Sequence, residues 1–235
     1  MDFGIIAAGN GSRLADEGVT TPKPLVRIGG EPLIDRLMRI FVSNGASSVS
    51  VIINEDMEDL YEHLITVKVP VPLHLLIRST PGSMHSFFHL SKYIRSDRFC
   101  ITTVDTVFKE SEFSACLRAF REGDDDGLMG VTGYIDDEKP LYVNVDKDFS
   151  IRSFTDEAPE GCDGVRYVSG GIYCLQRPAI KVLRDAVSGV VTRMRDYQRL
   201  LIGSGYRLRA YPFGKIIDVD HVSDIEKAER LANGE

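Results

Sequence analysis

The chain has 235 residues, no tryptophan, four cysteines and no excess of basic residues. No apolar run approaches the ~18 residues that a membrane-crossing helix requires, so no membrane segment is expected. Acidic Asp2 follows Met1 with no basic stretch behind it, so no secretory leader is expected. Cys100, Cys116, Cys162 and Cys174 form no C-x-x-C pair. Their expected state is buried thiols in a reducing cytoplasm, not a disulfide frame or a zinc site. Lys plus Arg number 28 and Asp plus Glu 35, a formal charge of −7. That balance excludes a nucleic-acid-coating protein. It leaves room for a small phosphate ligand, because local cations can sit in a negative molecule. His85 and His89 are four apart, but no H-E-x-x-H accompanies them, and they are not expected to hold a metal.

What is present reads as a globular domain. Hydrophobic residues make up 43% and charged residues 27%, and the length suffices for a core without staples. Strands are predicted at Asp2 to Ala7, Ser48 to Ile53, Leu73 to Ile77, Phe99 to Val104 and Gly127 to Thr132. Between them lie helical patterns at Pro32 to Asn44, Asp56 to Ile65, His85 to Ile94 and Glu112 to Arg121. Pro32 suits the first helical turn. Strands that are apolar along their length and alternate with helices predict a parallel sheet covered on both faces. The second half changes character. Strands at Leu141 to Val145, Ser150 to Phe154 and Tyr167 to Cys174 follow one another closely, which predicts antiparallel additions. Helices near Ala179 to Val187 and Thr192 to Ile202, strands Leu208 to Tyr211 and Lys215 to Val219, and a helix over Val222 to Ala232 complete one α/β domain spanning 1–235. The Asp124-Asp125-Asp126 run is expected to be a solvated turn.

The first strand runs into Ala7-Ala8-Gly9-Asn10-Gly11-Ser12-Arg13-Leu14. Glycines after a strand let a phosphate approach backbone N–H groups closely. The dinucleotide fingerprint needs a third glycine where Leu14 stands, which disfavours a dehydrogenase, and no G-x-x-x-x-G-K-[ST] string occurs. The continuation is more telling. A lone lysine is ordinarily solvated surface, but Pro22-Lys23-Pro24-Leu25 holds one between two prolines, whose rings restrict the backbone and make it a candidate phosphate clamp.

These two strings together resemble the signature of the sugar-phosphate nucleotidyltransferases, the nucleoside-diphosphate-sugar pyrophosphorylases. The resemblance continues along the chain. Pro81-Gly82-Ser83 is similar to the family's second nucleotide loop, and Thr103-Val104-Asp105 to its strand-end metal aspartate. Ser169-Gly170-Gly171-Ile172-Tyr173 is similar to its sugar-contacting strand, and Ile217-Asp218-Val219-Asp220 to its C-terminal metal strand. The resemblance implies a Rossmann-like, mixed and mainly parallel sheet flanked by helices. It also implies Mg²⁺-dependent attack of a sugar 1-phosphate oxygen on the α-phosphorus of a nucleoside triphosphate, with pyrophosphate leaving. The nucleophile is already an anion, so the enzyme must align two anions and neutralise growing charge rather than supply a strong base.

On this resemblance Ala8, Gly9, Gly11 and Ser12 wrap the nucleotide, with Gly82 and Ser83 from the second loop. Arg13 holds the β- and γ-phosphates, and Lys23 reaches the α-phosphate. Gly171 faces the acceptor. Asp105 holds Mg²⁺ with one or both of Asp218 and Asp220, which are expected to share a strand face. Asp224 is expected to be a helix-start carboxylate. The sequence departs from the family in three ways. The lysine of the Glu-Lys-Pro that holds the acceptor phosphate in many members is absent from Phe154-Thr155-Asp156-Glu157-Ala158-Pro159, and the earlier Glu138-Lys139-Pro140 reads as a turn. No glutamine stands near Ile77 or Arg78 to read the base. No C-terminal repeat domain follows. Short relatives include enzymes that activate phosphocholine or inositol phosphate with CTP, and that cytidylyltransferase reading stands as the alternative. A choline pocket would need aromatic walls, for which Tyr142, Tyr167 and Tyr173 are the candidates. A further alternative is a nucleotide-binding regulator without activity.

Overall fold

The computed structural model describes residues 1–158, 165–187, 189 and 192–234, so Pro159 and Cys162 lie outside the described residues. Strand Asp2–Ala7 (β1) is buried throughout. Its side chains divide by parity: Phe3, Ile5 and Ala7 join one core and Ile6 the other. Period-two alternation explains why a strand covered on both faces must be apolar along its length. The chain then forms a short helix, Ser12–Asp16 (α1), and the ribbon Arg27–Ile28 (β2) and Glu31–Pro32 (β3). Helix Leu33–Ser43 (α2) follows, burying Leu33, Ile34, Leu37, Met38, Ile40 and Phe41 as one stripe.

Next come Ser48–Ile53 (β4), Glu58–Thr66 (α3), Leu73–Ile77 (β5), Ser83–Ser91 (α4) and Arg98–Thr103 (β6). A tight turn carrying Asp105 leads to Thr106–Phe108 (β7), then Glu110–Glu122 (α5) and Gly127–Thr132 (β8). The second half contributes Tyr142–Val145 (β9), Ile151–Thr155 (β10), Tyr167–Gln176 (β11), Ala179–Val187 (α6) and Met194–Gly203 (α7). Leu208–Phe213 (β12), Ile216–Asp218 (β13) and Val222–Ala232 (α8) end the described chain.

The parallel half of the sheet runs β5-β4-β1-β6. Antiparallel β11 takes over at β6 and carries β8 and β9 in turn. β10 extends β9, and β12 returns parallel to β8. This is the expected mixed, mainly parallel sheet flanked by helices. A separate antiparallel ribbon pairs β13 with β7, matching Asp218 with Thr106.

The hinge between the two halves is Gly170-Gly171. The pairing of β11 with β8 shifts register between Ser169 and Tyr173. Gly171 has φ +70°, and a Cβ there would stand 2.6 Å from the hydroxyls of both Thr103 and Thr106. A Cβ on Gly170 would stand 2.3 Å from Ile216 Cδ1. Only glycine lets β11 bend while the β7–β13 ribbon packs against it.

Local details differ from expectation. The glycine loop is short and runs straight into α1, a helix not expected from the sequence, at Ser12. Gly11, at φ +59°, forms the left-handed entry to that helix. Pro32 ends β3 with extended backbone and precedes α2 rather than lying in its first turn. The Asp124–Asp126 run is anchored, not merely solvated. Arg207 pairs with Asp124 and Asp126, and Arg209 with Asp125 at 2.6 Å.

Candidate functional site

Parallel strands align their carboxyl ends, so the loops after β1, β4, β5 and β6 gather at one sheet edge. There the glycine loop, the Thr80–Ser83 turn and the Asp105 turn face each other across a cleft of about 510 Å³. Ala8, Gly9, Gly11, Ser12, Arg13, Lys23, Gly82, Ser83, Asp105 and Asp220 all line it. The structure therefore brings together ten residues that the sequence placed in one site. Gly171 and Asp218 line a second cavity of about 290 Å³, which meets the first at Ser83, Thr103 and Asp105.

Lys23 is the pivot. Pro22 and Pro24 flank it, and Gly11 lies against its stem, where an added Cβ would come within 3.0 Å of Lys23 Cβ. The side chain is buried, and its Nζ lies 2.5 Å from Asp105 Oδ2 and 2.5 Å from Asp220 Oδ1. Arg13 pairs with the other oxygen of Asp220. Burial opposes the Lys23 charge, but the two carboxylates outweigh it and raise its pKa, so it stays cationic. Burial likewise works against Asp105, and the Lys23 charge beside it holds its carboxyl below the usual range.

Asp218 and Asp220 line one cavity together, but they do not lie on one strand. β13 ends at Asp218, and the Asp220 N–H donates back to the Asp218 carbonyl at 3.0 Å. That tight turn re-aims Asp220 toward Lys23 and Arg13, while Asp218 accepts from Thr106 Oγ1 at 3.3 Å. Strand parity is not what brings them together, because the strand stops at Asp218 and the turn after it aims Asp220. Asp224 is the expected helix-start carboxylate: it accepts the N–H groups of His221 at 2.8 Å and Asp220 at 3.2 Å. It thereby braces the turn.

Asp218 is crowded. Burial and the negative charge of Asp105 push its carboxyl up to about 8. Burial, then the charge of Asp218, also raises the phenol of Tyr173. Among the described residues, no three His, Cys, Asp or Glu side chains stand close enough to cage a metal. The donors Asp105, Asp218 and Asp220 are hard oxygens, and at Asp218 burial and the Asp105 charge outweigh the favourable charge of Lys23. This set suits a cation completed by phosphate oxygens and water.

Several contributors carried no signal in the sequence. Buried Asn54, at the end of β4, donates to Asn10 Oδ1 at 2.6 Å and accepts from Ser79 Oγ at 2.7 Å. It ties the glycine loop to the turn after β5. The segment before α7 docks on the second loop, with Met84 N–H donating to the Thr192 carbonyl at 3.0 Å and Met194 N–H to Ser83 Oγ at 3.2 Å. A Cβ on Gly82 would strike that Thr192 carbonyl at 2.6 Å, so Gly82 admits the chain as well as lining the cleft. Arg193, Arg195 and Gln198 then line the second cavity. Arg195 is held by Asp156 at 2.5 Å and by the Lys139 carbonyl at 3.0 Å. The Glu138-Lys139-Pro140 stretch is a turn, as expected.

The arrangement offers backbone N–H groups and two cations to a polyanion, and carboxylates to a cation. It opens on a neighbouring cavity with further arginines. Comparison with known proteins agrees with this geometry. The profile of the family described as Nucleotidyl transferase matches residues 4–229. A bifunctional IPC transferase and DIPP synthase of Rubrobacter xylanophilus is 25% identical over 236 residues, covering 98% of this chain and 51% of that protein. A bifunctional protein GlmU of Thermodesulfovibrio yellowstonii is 23% identical over 228 residues, covering 92% of this chain and 48% of that protein. The chain thus spans about half the length of these curated relatives. The inositol-1-phosphate CTP transferase of T. maritima superposes with a TM-score of 0.80 at 20% identity, covering 99% of this chain and 96% of that one. The chain belongs to the nucleotidyl transferase family.

Proposed function

We propose that residues 1–235 form a single catalytic domain that transfers a cytidylyl group from CTP to inositol 1-phosphate, releasing pyrophosphate. The observation that carries nucleotidyl transfer is the Lys23–Asp105–Asp220 cluster, whose Asp105 stands where two cavities meet, one for each anionic substrate. The acceptor and base rest on the likeness to the IPC transferase and to the inositol-1-phosphate CTP transferase. That likeness moves inositol phosphate ahead of the sugar 1-phosphate expected from the motifs.

The triphosphate lies along Gly9 to Ser12, where backbone N–H groups meet its oxygens. Arg13 turns from Asp220 to the β- and γ-phosphates. Lys23 stays beside the α-phosphate and offsets charge as the acceptor oxygen bonds to the α-phosphorus and the bond to pyrophosphate breaks. Arg193 and Arg195 hold the acceptor phosphate, filling the place of the absent lysine. Asp105, with Asp218 or Asp220, would hold Mg²⁺, which when bound neutralises phosphate charge. No helix among the described residues is long and apolar enough to cross a membrane. Cys100, Cys116 and Cys174 are buried free thiols, in keeping with a reducing cytoplasm.

A matrix of nucleoside triphosphates against phosphorylated acceptors, read by pyrophosphate release, tests this function. CTP with inositol 1-phosphate should give the highest kcat/KM. A maximum at a sugar 1-phosphate with another nucleotide restores the sugar reading. No turnover anywhere, with nucleotide still bound, identifies a regulator.

A further inference from the structure

Helix α7 buries Met194, Tyr197, Gln198 and Leu201. Their i, i+3, i+4, i+7 spacing is the stripe that a helix presents to a core. Gln198 is the polar member of that stripe, and only 1% of it is exposed. A buried carboxamide is costly unless both of its ends are bonded. One end of Gln198 is satisfied, because Ser169 Oγ on β11 donates to Oε1 at 3.1 Å. The amide nitrogen has no partner among the described residues, and the side chain lines the cavity that also holds Gly171, Tyr173 and Arg195.

We infer that Gln198 is a specificity-determining residue that donates a hydrogen bond to a ring hydroxyl of the acceptor, which restricts acceptors to phosphorylated polyols. The inference rests on the proposed acceptor cavity and is independent of which base the nucleotide carries. Around Gln198 the cavity offers the hydroxyls of Ser169 and Thr103 and the carboxylate of Asp137, all able to bond a polyhydroxylated ring. A quaternary ammonium would need several exposed aromatic faces. Here Tyr173 is the aromatic ring in the lining, and it is 6% exposed. An acceptor without hydroxyls leaves the Gln198 amide unpaired, and a site built to hydrogen-bond a hydroxyl rejects the analogue lacking it.

The test compares wild type with Gln198→Met, which keeps length and removes the donors. Gln198→Glu keeps the acceptor for Ser169 and serves if Met destabilises the fold. Each is assayed with inositol 1-phosphate, with a series of its single-deoxy analogues and with phosphocholine, against all four nucleoside triphosphates. Acceptor binding is followed in parallel by calorimetry. The expected result is an acceptor KM raised about tenfold to a hundredfold by Gln198→Met, with the nucleotide KM unchanged. One deoxy analogue should show no further loss in the variant, because its missing hydroxyl and the missing amide are the same interaction. An equal loss for every analogue, unchanged acceptor binding, or phosphocholine turned over as well as inositol 1-phosphate each overturns the inference. A polyol phosphate accepted with a base other than cytosine overturns the CTP reading and leaves Gln198 in place.

Discussion

The two halves of the sheet do different work. The parallel half ends in loops whose chemistry is local: Gly9, Gly11 and the lysine between prolines make the proposed phosphate cradle from fewer than thirty consecutive residues. The antiparallel half lines the second cavity, the proposed acceptor site, with β11, the start of α7 and an arginine held by the Lys139 carbonyl. The cradle depends on backbone conformation, which few residues can supply. The acceptor wall depends on side chains delivered by separate elements, and these can change without disturbing the cradle.

The largest effect should come from removing the group at the junction. Asp105→Ala should abolish Mg²⁺-dependent turnover while the circular dichroism spectrum stays native. Activity near wild type at saturating Mg²⁺ would take Asp105 out of the metal site. Lys23→Ala should lower kcat by about 10²–10³ with a smaller change in nucleotide binding, as measured by single-turnover kinetics and calorimetry. A loss confined to nucleotide KM would make Lys23 part of the cradle and not of the reaction.

Arg195→Ala sharpens the contrast between the halves. It should raise the acceptor KM by about tenfold, the loss expected for one charge-assisted contact, and leave the nucleotide KM alone. Equal effects on both substrates would show that the halves are not separable. Gly171→Ala tests the hinge: the strain of a side chain at φ +70° plus the clash with two hydroxyls should cost roughly 1–3 kcal/mol, read by urea unfolding.

The smallest effect lies at the far end of the sheet, remote from both sites. Buried Asp2 accepts the N–H groups of Arg95 and Ser96 at 2.6 and 2.7 Å and Ser48 Oγ at 3.0 Å. Burial alone would raise its carboxyl, yet these bonds hold it below its usual value. Its stabilising contribution is therefore complete above the unfolded-state value of about 3.9 and fades as pH falls through the lower folded-state value. Asp2→Asn should lower Tm at pH 7 with kcat unchanged, and the difference should shrink toward acid. A pH-independent difference would mean packing, not charge, is what Asp2 supplies.

The strand and helix order was largely legible because side-chain parity and helical stripes are local patterns. Ser48–Ile53, Gly127–Thr132 and Val222–Ala232 stand where the periodicity put them. The three-residue strand β7 escaped, because its pairing with β13 across the chain leaves no periodic trace. Asp218 and Asp220 were identified by motif and line one cavity, but the strand expected to carry both ends at Asp218. Where a strand ends is decided by its partner and by the Asp224 brace, and parity says nothing beyond that end. Asn54 and Gln198 were silent because a single polar residue on an apolar element looks the same whether it lines a cavity or meets solvent.

By itself the sequence determined the family and the loop that forms the proposed nucleotide cradle, because φ-permissive glycines and φ-restricting prolines act within a few residues of themselves. Only the tertiary structure decided what Lys23 touches, since its carboxylate partners lie 82 and 197 residues away. It also decided the acceptor wall. A cavity is a relation between elements, and its chemistry exists only after β11, α7 and the Asp105 turn have packed together.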